Sequence, residues 1–446
     1  MEFAKEIKTI MRLALPLMIG QLSQMLLAVA DTIMVGALGV TELAALTFVN
    51  SLFWVPLVFG IGFLTSVSVH SSNALGARDP QAARQSCRYG FIASLVLGTV
   101  LFLLSFLLLP HMLPHFGQAD NINKLTSPYF LVIMASGIPC LASLALKNHA
   151  DAMNRPWPPF WIFLGGVVLN VLLNALLIHG FWVLPPLGMM GAAWATLISR
   201  IAIVVVLLLW LANDAALKDW VPRRWLMVIR RTDLRHHGKI GIPASLQMLC
   251  EVVAFSSAGI MMGWLGEVPL AAHQVAITCA GVAFMVPLGL SMALTVRVGE
   301  CFGARDFTAM RKVIYCGWAL AVTLGLLNAI VFYTLGNNIA YCFTKNQEVV
   351  KLTASLFGIV GVFQIVDGLQ VASASMLRGM HDTKISALLG FFAYWVCGIP
   401  LAYIMGKEEN FGAQGIWWSL AGGLLVACIG LGIRLKIQQN KVHRGC

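Results

Sequence analysis

Three acidic residues stand where acids are costly. Asp31, Glu251 and Asp367 each lie within, or near the end of, a long apolar run. A carboxylate at the centre of a bilayer costs about 3 kcal/mol or more, so such a residue is a functional candidate. Each shares a helical face with polar or aromatic neighbours. Gln21, Gln24 and Asp31 form one such face, and Gln247, Glu251 and Phe255 a second. Phe363, Asp367 and Gln370 form a third, with Gln364 beside them. A face of this kind lines water or a partner helix, not lipid. Asn170 and Asn174 are four apart and share a face, and Thr196 lies in the next span. With Asp31 they supply the oxygens a small hard cation takes. Hydrogen bonding between membrane helices explains the two asparagines equally well.

Two other polar groups have blander readings. His273 and Gln274 open a later span. Histidine titrates near neutral pH, but one His at a helix end reads first as a cap or packing group. Arg200 also falls inside a span, where snorkelling to the interface or a displaced span boundary is expected over pairing with an acid.

The elements that position these residues follow from composition. The 446 residues are 59% hydrophobic and only 11% charged, about half the charged share of a soluble domain. The apolar runs reach the ~20 residues that span a bilayer as helix. Nothing alternates as the strands of a membrane barrel would. The fold class is therefore an all-α polytopic membrane protein. Twelve spans are expected, from 12–35 to 414–434. Span 7 covers 239–263, span 8 covers 272–296, span 10 covers 350–375 and span 11 covers 385–405. The ten cysteines have no metal-ligand or disulfide-framework spacing and read as small apolar fillers.

The chain is an internal repeat. Gly-Ala-Arg-Asp occurs at 76–79 and again at 303–306. The same offset of 227 brings Pro16 onto Pro243, Gly36 onto Gly263, Gly62 onto Gly289 and Gly90 onto Gly317. Six spans per half make the halves parallel repeats, two six-helix lobes whose shared cavity is the expected binding place in a transporter. The expected division is a lobe at 1–213, a cytoplasmic linker at 214–238 and a lobe at 239–446. Glu251 aligns with Gln24, Asp31 with Ala258 and Asp367 with Cys140. Each acid is thus present in one half only, which suggests that the halves have divided the chemistry.

Basic residues set the orientation. Arg78, Arg84, Arg88, Lys147, Arg155, Arg223, Arg224, Arg297, Arg305 and Arg378 cluster on one set of loops. The opposite loops hold only Lys124, Lys345, Lys351 and Lys407. By the positive-inside rule the basic side and both termini are cytoplasmic. The net charge of +11 is then mainly topology, and no nucleic-acid partner is expected. The sequence has no G-x-x-x-x-G-K-[ST] loop, no H-E-x-x-H helix and no serine nucleophile elbow. Without an ATP engine, an ion gradient is the natural energy source.

These segments resemble the multidrug and toxic compound extrusion (MATE) family, in its NorM-like bacterial branch. The resemblance covers essentially the whole chain. It rests on Glu6–Pro16, on Val29-Ala30-Asp31-Thr32-Ile33-Met34-Val35-Gly36 and on Ala272-His273-Gln274. Phe284-Met285-Val286-Pro287, Asp367-Gly368-Leu369-Gln370 and Leu377-Arg378-Gly379-Met380-His381-Asp382-Thr383 add to it. It implies two six-helix lobes and antiport of drugs against Na⁺ or H⁺. It also implies that the span 7 acid matches Glu251, the span 10 acid Asp367 and the span 1 acid Asp31, with span 5 amides at Asn170 and Asn174. One departure stands out. The pattern often has an aromatic hydroxyl four residues before the span 10 acid, and this chain has Phe363. That weakens a Na⁺ site in the second lobe.

The resulting expectation is a monomeric exporter of amphipathic, often cationic, organic compounds in a bacterial inner membrane. It is not an enzyme and needs no cofactor beyond the coupling ion. Glu251 and Asp367 bind the cation, Na⁺ included, and Asp31, Asn170, Asn174 and Thr196 form a first-lobe site. Gln24, Gln247, Phe255, His273, Gln274, Phe363 and Gln370 line the substrate cavity. Two alternatives are a lipid-linked saccharide flippase of the same wider superfamily and a membrane-embedded transferase. The first calls for basic residues in the cavity, the second for a donor-binding loop.

Overall fold

The computed structural model describes residues 2–112, 120–180, 185–225, 231–407 and 411–444. Among them there is no strand. Twelve helical segments are long and apolar enough to cross a membrane. The first six helices are α1 (Glu2–Gly36), α2 (Val40–Gly76), α3 (Pro80–Met112), α4 (Asp120–Ala152), α5 (Trp157–His179) and α6 (Met189–Asn213). The second repeat begins with α7 (Arg231–Leu265), α8 (Glu267–Gly303), α9 (Phe307–Phe343) and α10 (Gln347–Gly379). The eleventh span is broken: α11 (Thr383–Phe391), a π-helical stretch Phe392–Gly398 and α12 (Ile399–Lys407). Helix α13 (Gly412–Arg444) closes the chain.

The helices outrun the apolar runs, because polar first and last turns extend into the interfaces. Two expectations change as a result. Part of the expected linker 214–238 is helical, since α7 begins at Arg231; residues 226–230 lie outside the described residues. Lys147 is not a loop charge. It is buried in α4, with Nζ 2.7 Å from Asp151 Oδ2.

The Gly-Ala-Arg-Asp repeat is a helix-to-helix turn. Arg78 and Arg305 adopt left-handed backbone, φ 53° and 56°, which ends one helix. Asp79 Oδ1 then accepts the N–H groups of Gln81 and Ala82, both at 3.0 Å. Asp306 Oδ1 accepts that of Ala309 at 2.9 Å. Each aspartate caps the orphan donors of the following helix.

By contact the chain forms two compact units. One is Met1–Gln21 with Leu246–Cys446, and the other is Leu22–Ser245. The repeat boundary marks ancestry, whereas the unit boundaries mark packing and fall inside α1 and α7. The start of α1 is held in its unit by Arg297, whose Nη2 lies 2.7 Å from Glu6 Oε1. The start of α7 is held in the other by His237, whose Nδ1 lies 3.0 Å from Ser66 Oγ. Each unit has a central helix. Helix α4 packs against α2, α3 and α6, and α10 against α8, α9 and α13. Their cores hold Leu46, Phe53, Tyr129 and Leu141 in one unit, and Met262, Phe357, Phe363 and Trp417 in the other. Exposed apolar residues such as Leu103, Leu104 and Leu107 on α3 suit a lipid-facing surface.

Candidate cation and substrate sites

In the unit Leu22–Ser245 the polar residues form one hydrogen-bonded chain. Asn174 Nδ2 donates to Asp31 Oδ1 at 2.6 Å and to Asn170 Oδ1 at 3.1 Å. Asn170 Nδ2 donates to Thr196 Oγ1 at 3.3 Å, and Thr196 donates to the Ala192 carbonyl at 2.9 Å. Helical spacing puts both asparagines on the inner face of α5, and α6 brings Thr196 to them. Asn174 Oδ1 is buried without a partner. Gln24 is exposed.

Arg200 departs from expectation. It does not snorkel. Its Nη1 donates to Ser136 Oγ at 2.6 Å, and its guanidinium lies 5.2 Å from the Phe53 ring centroid. It stands within electrostatic range of Asp31. Two contacts inside the unit hold it inward, a hydroxyl and an aromatic face. Tyr129 on α4 is a neighbour the sequence did not single out, within range of both charges.

The other unit brings Glu251 and Asp367 within electrostatic range of each other. Helix α7 supplies the first and central helix α10 the second. Asp367 is 3% exposed and its Oδ1 has no hydrogen-bond partner. Oε1 of Gln364 and Oε1 of Gln370, three residues to either side, are also buried and unpartnered. Three acceptors without donors on one helix are costly unless a cation or proton answers them. Arg378 lies within range of Glu251.

The aromatic residues gather around the acids. The Phe255 ring is 5.8 Å from Phe363 and 6.3 Å from Tyr394. Phe363 lies 5.6 Å from Trp417, and Trp417 lies 5.6 Å from His273. His273 is therefore not an end cap. It sits in the second turn of α8, 3% exposed, because α8 starts earlier than its apolar run. Gln274 beside it is exposed. Gln247 is buried and its Oε1 accepts from Ser386 Oγ at 3.3 Å, one turn from Glu251.

Sequence reasoning missed Tyr394, whose hydroxyl donates to Glu251 Oε1 at 2.9 Å. It lies in the π-helical stretch. Pro400 lacks the N–H that would bond back into that stretch, and Gly398 packs against Gly423 of α13. Hydropathy cannot reveal a π turn. The only sequence signals are a tyrosine inside span 11 and the Gly398-Ile399-Pro400 breaker after it.

The comparisons agree with this architecture. The MatE family pattern matches residues 16–176 and again 243–404, one match per repeat. The chain belongs to the MatE family of membrane transporters. It is 33% identical over 443 residues to a probable multidrug resistance protein NorM of Bradyrhizobium diazoefficiens, covering 98% of this chain and 95% of that one. It is also 33% identical to the multidrug resistance protein NorM of Burkholderia vietnamiensis, with 97% and 94% covered. Among solved structures, an outward-facing multidrug resistance MATE family transporter of the MOP superfamily superposes with TM-score 0.89 at 23% identity, covering 98% and 96%. A MATE in the bent conformation gives TM-score 0.89 at 22% identity, covering 100% and 99%. The MatE chain is thus a multi-pass transporter of the NorM-like bacterial branch, not an enzyme.

Proposed function

We propose that this transporter exports amphipathic, often cationic organic compounds across a bacterial inner membrane by antiport against Na⁺ or H⁺. The relatives named NorM support the drug-export part. The observation that carries the coupling is the pairing of Glu251 with Asp367, whose Oδ1 is buried without a partner. These residues fit a small cation. Glu251 and Asp367 would hold it, and it would supply the positive charge that two neighbouring carboxylates lack. The residues themselves bind, orient and exclude water. Asp31, Asn170, Asn174 and Thr196 form the first-repeat site, where Arg200 already supplies one positive charge. Cation and substrate favour opposite-facing states, the differential affinity that coupling requires.

The charge balance favours this reading over a saccharide flippase. In the Glu251 site two carboxylates face one guanidinium, Arg378, an excess of negative charge that suits a cation. The basic side is assigned to the cytoplasm, with both termini there, and the chain to a monomer. The test is dye or drug accumulation in cells stripped of other pumps, with the Na⁺ and H⁺ gradients collapsed separately. Glu251→Gln and Asp367→Asn should each abolish gradient-driven export while insertion is unchanged. Wild-type export by both variants would remove the proposal.

A further inference from the structure

The first repeat gathers arginines that no acid of the chain answers. We propose that the start of α3 and residues 220–225, in the connection after α6, bind the headgroup of an anionic phospholipid. The site lies within the unit Leu22–Ser245 and is independent of the coupling ion and the substrate.

The connection is seated on that unit. Asp214 is held by Arg155, and Leu217 and Val221 are 2% and 5% exposed. The Trp225 ring meets the Phe91 ring of α3 edge-on, with 5.3 Å between centroids. Arg223 and Arg224 are exposed and are held between Val221 and Trp225, beside α3. Arg84 and Arg88 stand seven and three residues before Phe91, so they share its face of the helix. Phe91 begins the apolar run of α3. Arg88 and Arg84 therefore lie about 4.5 and 10 Å further out along the axis, at the depth of the headgroup layer. A tryptophan at this level is the usual interfacial anchor.

The local charge is unbalanced. Residues 84–91 and 220–225 hold four arginines and no acid. Asp79 is engaged by the N–H groups of Gln81 and Ala82. Arg84 donates Nε–H to the Pro80 carbonyl at 3.2 Å, which leaves both terminal nitrogens of the fork. Among the described residues no carboxylate pairs with Arg84, Arg223 or Arg224. The other repeat differs. Arg311, which aligns with Arg84, lies 5.8 Å from the Tyr315 ring centroid, and Lys312 beside it pairs with Glu2 at 2.6 Å. The position that aligns with Glu2 is Ile229. One repeat thus meets its basic helix start with an acid of its own chain, and the other leaves it to a ligand. The positive-inside rule accounts for the presence of the charges, but not for the seating of the connection against Phe91.

Guanidinium forks match phosphate oxygens in bidentate geometry. A lipid fits better than a free phosphate. Val96, Val100, Leu103 and Leu107 of α3 are exposed and offer acyl chains a surface below the headgroup. Basic clusters beside a membrane span recruit anionic lipid in this way.

The experiment titrates the purified full-length protein, in neutral detergent, with phosphatidylglycerol, phosphatidylcholine or inorganic phosphate and reads the thermal unfolding midpoint. Phosphatidylglycerol should stabilise wild type in a saturable way, and the other two should not. Arg84→Gln, Arg223→Gln and Arg224→Gln should each raise the half-saturating concentration roughly fivefold, and the triple variant roughly a hundredfold. Trp225→Ala should raise it several-fold with no change of charge, and Trp225→Phe should restore it. The charge-matched triple Arg311→Gln, Lys436→Gln and Lys441→Gln should leave it unchanged. Lipid-free midpoints show that each variant is folded. Stabilisation by phosphatidylcholine equal to that by phosphatidylglycerol would overturn the inference. So would an equal loss of affinity in the two triples, which would reduce the patch to net charge. Inorganic phosphate saturating at the same concentration would make this a free-anion site and overturn the lipid. An unchanged half-saturation in Trp225→Ala would overturn the seating of the arginines.

Discussion

A methyl group on Gly62 would come within 2.5 Å of Ser245 Cα. Helix α2 therefore touches α7 backbone to backbone. The repeat-related contact is present as well: a methyl on Gly289 would lie 2.5 Å from the Met18 nitrogen. Gly62 aligns with Gly289, and Met18 with Ser245, at the same offset of 227. The first helix of each repeat thus packs on the second helix of the other repeat. Small residues permit such close approach in membrane proteins.

Gly62→Ala and Gly289→Ala should each lower stability by about 1–3 kcal/mol, the usual cost of overpacking, and reduce export. Gly165→Ala is the control, since nothing lies within 4 Å of a methyl there. Unfolding midpoints in detergent read the difference. Equal midpoints for all three would show that the helices separate at no cost.

The loop after each central helix is tied down by an ion pair of opposite polarity. Arg155 Nη2 lies 2.9 Å from Asp214 Oδ1, and Arg434 Nε lies 2.6 Å from Asp382 Oδ2. Arg155 aligns with Asp382. The loops share backbone as well, with left-handed Asn154 at φ 59° and His381 at φ 64°. Asp382→Arg alone should destabilise by about 1 kcal/mol or more, since the acid is largely buried. Asp382→Arg with Arg434→Asp should recover most of it, as the first repeat tolerates that polarity. A double variant no better than the single would show that Gln438, which donates to Asp382 Oδ2 at 2.6 Å, fixes the polarity.

Orientation is open to direct measurement. Single cysteines at Gly39 and Gly266, in a cysteine-free background, should react with an impermeant reagent in intact cells. Cysteines at Arg84 and Arg311 should not. The reverse pattern would invert the topology.

The acids are not expected to be exchangeable between repeats. Gln24→Glu with Glu251→Gln conserves net charge, yet coupled export should be lost. Position 24 is exposed and its repeat has Cys140 where the other has Asp367. The Glu251 position alone combines a second carboxylate with the Tyr394 hydroxyl. Near wild-type export by the swapped variant would show that one carboxylate anywhere suffices.

The class of the protein, its twelve spans, the repeat and the three acids inside the spans were all legible in the residue string. Hydropathy, a fixed offset and the cost of burying charge are local or periodic properties, and a sequence displays those directly. The grouping of Asn170, Asn174 and Asp31 was also within reach, because helical spacing puts the asparagines on one face. Other features depended on which helix meets which. Arg200 turns inward because Phe53 and Ser136 meet it from other helices. Lys147 leaves the loop because α4 continues past its apolar run to Asp151. Tyr394 reaches Glu251 from 143 residues away through a π turn that hydropathy does not register. The crossing of α1 and α7 between units is invisible in an offset alone, since the repeats would align equally well if each packed only on itself. Packing of distant segments decided these, because the partner that satisfies a buried polar group is chosen in space and not along the chain.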